Sequence, residues 1–552
     1  MRHRLVWSLI AGAAVMALLQ TLPGPALAQG SAALTGVVSS AQEGAMEGVV
    51  VSAHKAGSIV TVSVTTDAQG RYTFPENRLE PGEYTITIRA VGYDIAAPAS
   101  ATIAAEKTST ADIKLAPAHD LASQLTNAEW MMSVPGPEDQ KAGLLNCTSC
   151  HTLERIVRST HDADEWTHVI VRMHGYGAVS QPVKPQPMLD RGRAGTPEQN
   201  RKFAEYLATI NLSKVDKWQY PLKTLPRPKG EATRAIVTAY DVGRATTEPH
   251  DVVVAQDGSV WYSDFGEMFI SRFDPKTLKL TEYPVKKFKP KAPEGQLSLA
   301  LDRDGKFWFD MMYQGALGTL DPKTGETKFY PLPAKWNDDR VQLNFIGLRH
   351  DVDGRVWTKS VGTQDIFRLD LASGNWDKFH PTSQLPAGHY SIYQVISDSK
   401  NNLWMAEFVD GHIGKIDAKT GAVTWYVLPT AHGRARRMEI DDQDRILLTE
   451  YRGNAVALFD TRAEKFVAEY KLPTPYSGPY RAATDKNGDI WVAGMQTDRA
   501  TRLDPKTGRA VEYLMPGDTN MRSLYIDNST APPTFWTGSN HAHALVKVEP
   551  LE

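Results

Sequence analysis

The chain has 552 residues, 41% of them apolar, and its 61 basic and 64 acidic side chains leave a formal charge of -3. That length is too great for one core and predicts three or more domains. A near-neutral balance without a basic stripe argues against nucleic-acid binding and gives no electrostatic steering toward a partner.

Arg2, His3 and Arg4 open the chain, an apolar run follows from Leu5 to Leu22, and Ala26-Leu27-Ala28 forms a small-x-small cleavage site before Gln29. This order predicts a secretory signal peptide over residues 1–28 and a periplasmic or otherwise exported protein. Pro23, Gly24, Pro25 and the cleavage site argue against a membrane anchor, and no later apolar run is long enough to span, so no membrane span is expected in the mature chain.

Residues 31–118 alternate and turn. Runs such as Gly48 to Ala53, Tyr72 to Pro75 and Glu83 to Ile88 have period two and are rich in Val, Thr, Ile and Tyr. They are separated by turns at Asp67 to Gly70 and at Pro81-Gly82. A small antiparallel β-sandwich is the expected result. The pieces "LTGVVSS", "TTDAQGRYTF" and "LEPGEYTITIRAVGY" resemble a carboxypeptidase regulatory-like domain, which implies a transthyretin-like sandwich of structural or adhesive use.

Residues 121–212 contain the only two cysteines, in the run Cys147-Thr148-Ser149-Cys150-His151. The spacing is that of a c-type haem attachment site, in which two thiols form thioethers and the next imidazole takes one axial position on iron. A redox dithiol would need a βαβ context and a zinc site would need further ligands, and neither is present in the sequence. Three helices are expected: one carrying the motif between Ala142 and Arg158, one over Asp164 to Met173, and one over Pro197 to Ile210. The frame "CTSCHTLERIV...DEWTHVIVRM...FAEYLATIN" resembles the haem domains of quinohaemoprotein-type dehydrogenases and implies a small α-helical cytochrome c domain. That frame places its methionine ligand at Met173, with Met188 the main rival and His161, His168 and His174 also within reach in sequence.

From residue 233 to 552 the chain repeats. Trp261, Trp308, Trp357, Trp404, Leu447, Trp491 and Trp536 recur at steps of 43 to 49 residues. Most copies have an Asp-Gly or Asn-Gly turn before them and a "T-E-Y-P" ending after them. A fixed period in this range predicts a β-propeller, here with seven blades. The last copy lacks its final strand, and an unpaired strand around Val237 to Val242 precedes the first; the expectation is that it completes the seventh blade.

The repeat resembles the virginiamycin B (streptogramin) lyase family, which implies metal-assisted elimination from a cyclic depsipeptide ester. It implies a histidine base at His250 and acidic ligands at Glu248 and Asp264 for a divalent metal such as Mg2+, with aspartate standing where the family has glutamate. His250 is expected where the innermost strand begins, at the channel mouth, and Asp264 where the next strand begins. Repeat alignment puts Glu407 and Glu450 at the Asp264 position, and Arg436, Arg437, Arg481 and Arg522 near the His250 position. Such a ring suits an anionic ligand, or else satisfies strand ends.

The fold expected is therefore multidomain and mainly β, with a sandwich, a small helical cytochrome c domain and a seven-bladed propeller. The favoured function is electron transfer by covalent haem c, as the haem arm of a periplasmic oxidoreductase. A redox partner protein would exchange electrons with it, and the propeller would bind that partner or a small-molecule substrate. The alternatives are a metal-dependent C–O lyase with an accessory haem, and a non-enzymatic docking module for a redox partner. Elimination moves no net electrons, so a retained haem argues for redox work.

Overall fold

The computed structural model describes residues 32–189, 195–212, 218–386 and 390–551. The signal peptide expected over residues 1–28 lies outside them. Among the described residues no helix is long and apolar enough to cross a membrane.

Alternation builds the N-terminal sandwich. Strand Ala32–Ser40 buries every second residue along most of its length, as period-two patterning requires. It pairs antiparallel with Arg71–Pro75 and parallel with Ile113–Pro117. A second sheet holds Val60–Thr65, Val50–Lys55, Gly82–Arg89 and Ala99–Ile103 in that order. Leu34, Val38, Val51, Phe74 and Ile86 meet between the two sheets.

Six four-stranded antiparallel sheets follow one another around the propeller, the first formed by Pro249–Val254, Val260–Asp264, Phe269–Asp274 and Lys279–Pro284. The repeat has a physical cause in two contacts that recur in several blades. The blade tryptophan stacks on the tyrosine of the closing strand: Trp261 on Tyr283, Trp308 on Tyr330, Trp404 on Tyr426 and Trp491 on Tyr513, with centroids 5.4 to 5.9 Å apart. Its indole N–H donates to the aspartate that opens the preceding turn, as from Trp308, Trp404 and Trp491 to Asp302, Asp398 and Asp485 at 2.8 to 3.1 Å.

The seventh blade is completed from the front of the chain. Ala235–Asp241 pairs antiparallel with Ala544–Pro550, from Ala235 opposite Pro550 to Asp241 opposite Ala544. Tyr240 supplies the missing ring, stacking on Trp536 at 5.9 Å. This added strand does not end the sheet. Its other edge pairs with Val60–Thr65 of the sandwich, giving one eight-stranded sheet shared by the two units. Arg78 clamps the junction with two hydrogen bonds to Glu549, at 2.9 and 3.0 Å.

Blade seven meets blade one at Gly538, where a Cβ would stand 2.1 Å from the carbonyl oxygen of Pro249. Backbone cannot yield there, so Gly538→Ala is expected to cost about 1–3 kcal/mol. An unchanged denaturant midpoint would contradict this packing.

The helical cytochrome c domain expected over residues 121–212 is not formed, which corrects the fold class: the molecule is a sandwich and a propeller joined by a segment of short helices. These are Asn127–Ser133, Glu138–Lys141, Glu154–Val157, Ala163–Gly175 and Pro197–Ile210. Most are too short to hold together alone. They share their core with the propeller, since Trp130, Leu144, Leu153, Trp166 and Leu207 pack in one cluster with Tyr451, Tyr480 and Met495. The helix expected from Ala142 to Arg158 is a 3-10 stretch, Leu144–Ser149, a bend, and the single turn Glu154–Val157.

Candidate functional site

Each inner strand of the propeller starts at one face of the ring, and the next strand ends at that face, because the two are antiparallel. Pro249 stands opposite Asp264, Ile392 opposite Glu407 and Ala435 opposite Glu450. Asp264 therefore closes the second strand of its blade, where the sequence placed it at a strand's beginning; the shared face is as expected. At the level of His250 the ring presents Tyr393, Arg436, Tyr480 and Arg522 from other blades.

His250 has no exposed surface. Its Nδ1 is 3.0 Å from Asp251 Oδ1 and its Nε2 is 3.4 Å from the Tyr480 hydroxyl. Asp251 is in turn gripped by Arg437, whose Nη1 and Nη2 donate at 2.6 and 2.8 Å from the far side of the ring. Burial lowers the His250 pKa to about 4, the contact with Asp251 opposing it. Between pH 4 and 6.5 the unfolded chain takes up a proton that this folded ring refuses. Stability thus falls as pH falls through that window, by about 3 kcal/mol over the whole shift. His250→Gln is expected to flatten that part of the dependence of melting temperature on pH; an unchanged slope would contradict it. Asp264 and Glu450, both raised by burial to about 7, act in the opposite sense, so the comparison with the variant isolates the imidazole.

The acids at the strand ends are engaged with backbone. Asp264 Oδ1 accepts from the N–H groups of Glu248, Gly266 and Glu267 at 3.0 to 3.1 Å. Glu407 accepts from those of Ser391, Val409, Asp410 and Gly411. Asp264 Oδ2 and Glu248 Oε2, however, are buried without a hydrogen-bond partner. Burial pushes the Glu248 carboxyl well above its ordinary range. Arg244 Nη2 stands 3.9 Å from Asp264 Oδ2, and Gln181 and Asn540 oppose the upward shift of Glu248; two carboxylates are ligand types that Mg2+ takes.

The Cys147–His151 loop lies over this ring. Gln496 Nε2 donates to Thr148 Oγ1 at 2.9 Å, Asn520 Nδ2 to the Thr148 carbonyl at 3.1 Å, and Arg522 Nη2 to the Ser149 carbonyl. Both cysteines stand as thiols. Burial pushes the Cys147 thiol up to about 12. His151 Nδ1 meets the Thr152 carbonyl at 2.9 Å, which fixes the tautomer with the lone pair on Nε2, and burial lowers its pKa. A neutral imidazole so oriented is the form that ligates a metal, and with two thiols beside it the donor set fits haem c.

Met173, on Ala163–Gly175, and Met188 are 40% and 58% exposed. Met188 packs beside the end of that helix, for a Cβ on Gly175 would touch the Met188 sulfur at 3.3 Å. His161 faces Glu165 and Trp166, and His174 Nδ1 is buried without a partner.

Sequence reasoning missed Asp251, Tyr393, Tyr480, Gln496 and Asn520. Tyr393 and Tyr480 were within reach of the repeat alignment, since they occupy the His250 position in blades four and six. The docking residues Gln496 and Asn520 carry no repeat signal. A further trio, Asp302, Asp304 and His350, brings ligand atoms within 4.8 Å of one another elsewhere on the propeller.

The sequence matches the virginiamycin B lyase family over residues 231–434 and 383–550, and the carboxypeptidase regulatory-like domain over residues 33–116. No curated protein matches it. Among solved structures, a streptogramin B lyase is 21% identical with a TM-score of 0.50, covering 58% of this chain and 100% of that one. Selenomethionine-substituted virginiamycin B lyase from Staphylococcus aureus is 22% identical with a TM-score of 0.49, covering 57% and 100%. A catalytically inactive variant of that enzyme with quinupristin is 21% identical with a TM-score of 0.49 and the same coverage. At such identity the likeness to the streptogramin B lyase is one of fold alone.

Proposed function

The chain belongs to the virginiamycin B lyase family, and we propose that within it this protein is an exported haem-binding redox protein whose propeller seats the attachment loop. The observation that carries this reading is the docking of Thr148 and Ser149 onto Gln496, Asn520 and Arg522 at the mouth of the ring. Cys147 and Cys150 would hold the group through their sulfurs, His151 would offer Nε2 to the iron, and Met173 or Met188 would be the source of a thioether ligand. Haem c bound there supplies one-electron exchange. The residues of this chain orient the imidazole, through the Thr152 carbonyl, and fix the loop against the propeller. Electrons pass to and from a redox partner protein, and the channel takes a small molecule.

The test is purification of the protein from a host with c-type maturation, followed by a denaturing gel stained for haem and reduced-minus-oxidised spectra during a potentiometric titration. Covalent haem with a low-spin spectrum is expected. A protein that matures without covalent haem overturns the reading.

The second reading, a metal-dependent C–O lyase, draws on the orphaned oxygens of Glu248 and Asp264. They would hold Mg2+, a Lewis acid, while His250 would take the proton. It ranks lower because His250 has no exposed surface and both ring nitrogens face protein partners. Depsipeptide-ester opening that is lost in His250→Ala with an intact haem spectrum would reverse the order.

A further inference from the structure

We infer that the mouth of the ring, below the attachment loop, is a carboxylate-binding site whose cationic floor is Arg436, assisted by Arg522. The four arginines near the His250 level differ in their partners. Arg437 is matched by Asp251, and Arg481 by Glu439 at 2.8 Å. Among the described residues no carboxylate lies within 4.0 Å of the nitrogens of Arg436 or Arg522, which are only 7% and 3% exposed.

Arg436 enters a cage of rings. Its guanidinium carbon is 4.0 Å from the centroid of Tyr480, 4.2 Å from Tyr451, 4.8 Å from Tyr393 and 5.2 Å from Phe408. Among the described residues its guanidinium makes one hydrogen bond, a long one of 3.4 Å from Nη2 to the Tyr393 hydroxyl, and Nε is buried without a partner. Arg522 donates Nε to Asn520 Oδ1 and Nη2 to the Ser149 carbonyl, both neutral acceptors. Ring faces attract a cation but do not neutralise it, and a buried guanidinium without an anion is costly. Of the nearby acids, Asp251 is taken by Arg437 and Glu407 by backbone N–H groups, and Glu248 lies close enough to Arg522 to feel its charge, which leaves Arg436 as the guanidinium without an acid.

A flat fork of donors between aromatic faces fits a planar carboxylate, held by two parallel hydrogen bonds. That carboxylate comes from a propionate of the haem above, or from a free small carboxylic acid. The first source rests on the reading of the preceding subsection, whereas the site itself does not.

The test uses the full chain made haem-free by Cys147→Ala with Cys150→Ala, titrated calorimetrically with benzoate. Saturable binding is expected, weakened at least about tenfold by Arg436→Met. Without ligand, Arg436→Met should melt no lower than its parent, since it removes an uncompensated charge. Arg436→Lys keeps the charge without the fork and should retain weak binding, which covers a Met variant that fails to fold. Benzoate binding that disappears once haem is attached names the propionate; binding that persists names a free acid. No saturable benzoate binding by the haem-free chain, or equal affinity in Arg436→Met, overturns the inference. A chain that never acquires haem defeats only the redox reading, because the haem-free titration still decides this one.

Discussion

Arg437→Ala is expected to lower the unfolding free energy of the propeller by about 3–5 kcal/mol, the usual consequence of stripping one partner from a buried ion pair. Arg437 and Asp251 have side chains only 3% exposed, and their pair joins blade five to blade one across the ring. Without the guanidinium, the Asp251 carboxylate keeps His250 Nδ1 as a neighbour, with no cation. Burial alone would raise the Asp251 pKa; Arg437 overcomes burial and holds it below the ordinary carboxylate range. A depressed acid stabilises the fold above its unfolded pKa and loses that contribution as pH falls through its folded value. The gap between wild type and Arg437→Ala should therefore be widest near neutrality and shrink in acid. Arg437→Met with Asp251→Leu should recover most of the loss, since a buried pair replaced by apolar groups is close to neutral. Urea midpoints at two pH values decide it; a pH-independent gap would contradict the pairing.

Replacing Cys147 and Cys150 together by alanine is expected to remove covalent haem entirely while leaving the propeller folded. The separation is possible because the hydrogen bonds that dock the loop do not come from the side chains of Cys147 or Cys150 but from Thr148 and Ser149. The propeller grips the Thr148 hydroxyl and the carbonyls of Thr148 and Ser149, all of which the double variant retains. Each single variant should keep one thioether and shift the pyridine haemochrome band. Haem staining after denaturation reads the result, and haem surviving in the double variant would refute attachment at this motif. In the same preparation Met173→Ala or Met188→Ala should lower the reduction potential, whichever one removes the axial thioether.

Much of the propeller was legible in the sequence because one chemistry is reused in several blades. Stacking of Trp on Tyr and the aspartate beneath the indole need fixed spacings, and fixed spacings are what a sequence displays. Tyr240 even announced that its strand belongs to the last blade. The site was legible only by level: the repeat puts Arg436 at the register position of His250, whereas in blade six that position is Tyr480 and Arg481 lies one residue beyond it. It did not show that Arg437 reaches Asp251 while Arg436 reaches no acid, because partners across the ring have no fixed separation along the chain. The haem frame misled about fold for a related reason. Its short amphipathic stretches bury their apolar faces equally well on each other or on a neighbour, and Tyr451, Tyr480 and Met495 gave them the neighbour.

The sheet that runs from the seventh blade into the sandwich sets an order of assembly. Ala235–Asp241 is flanked by Val60–Thr65, made long before it, and by Ala544–Pro550, made last. Arg78 and Glu549, separated by 471 positions, are locked together at the same seam. During synthesis the latch strand can pair on its sandwich side early, waiting as a template with one open edge. The ring cannot shut until the final strand arrives, so the nascent protein spends most of its synthesis as an open arc. Such long-range closure is slow and exposes strand edges to other chains. The sandwich, by holding the latch in register, shields one of those edges throughout.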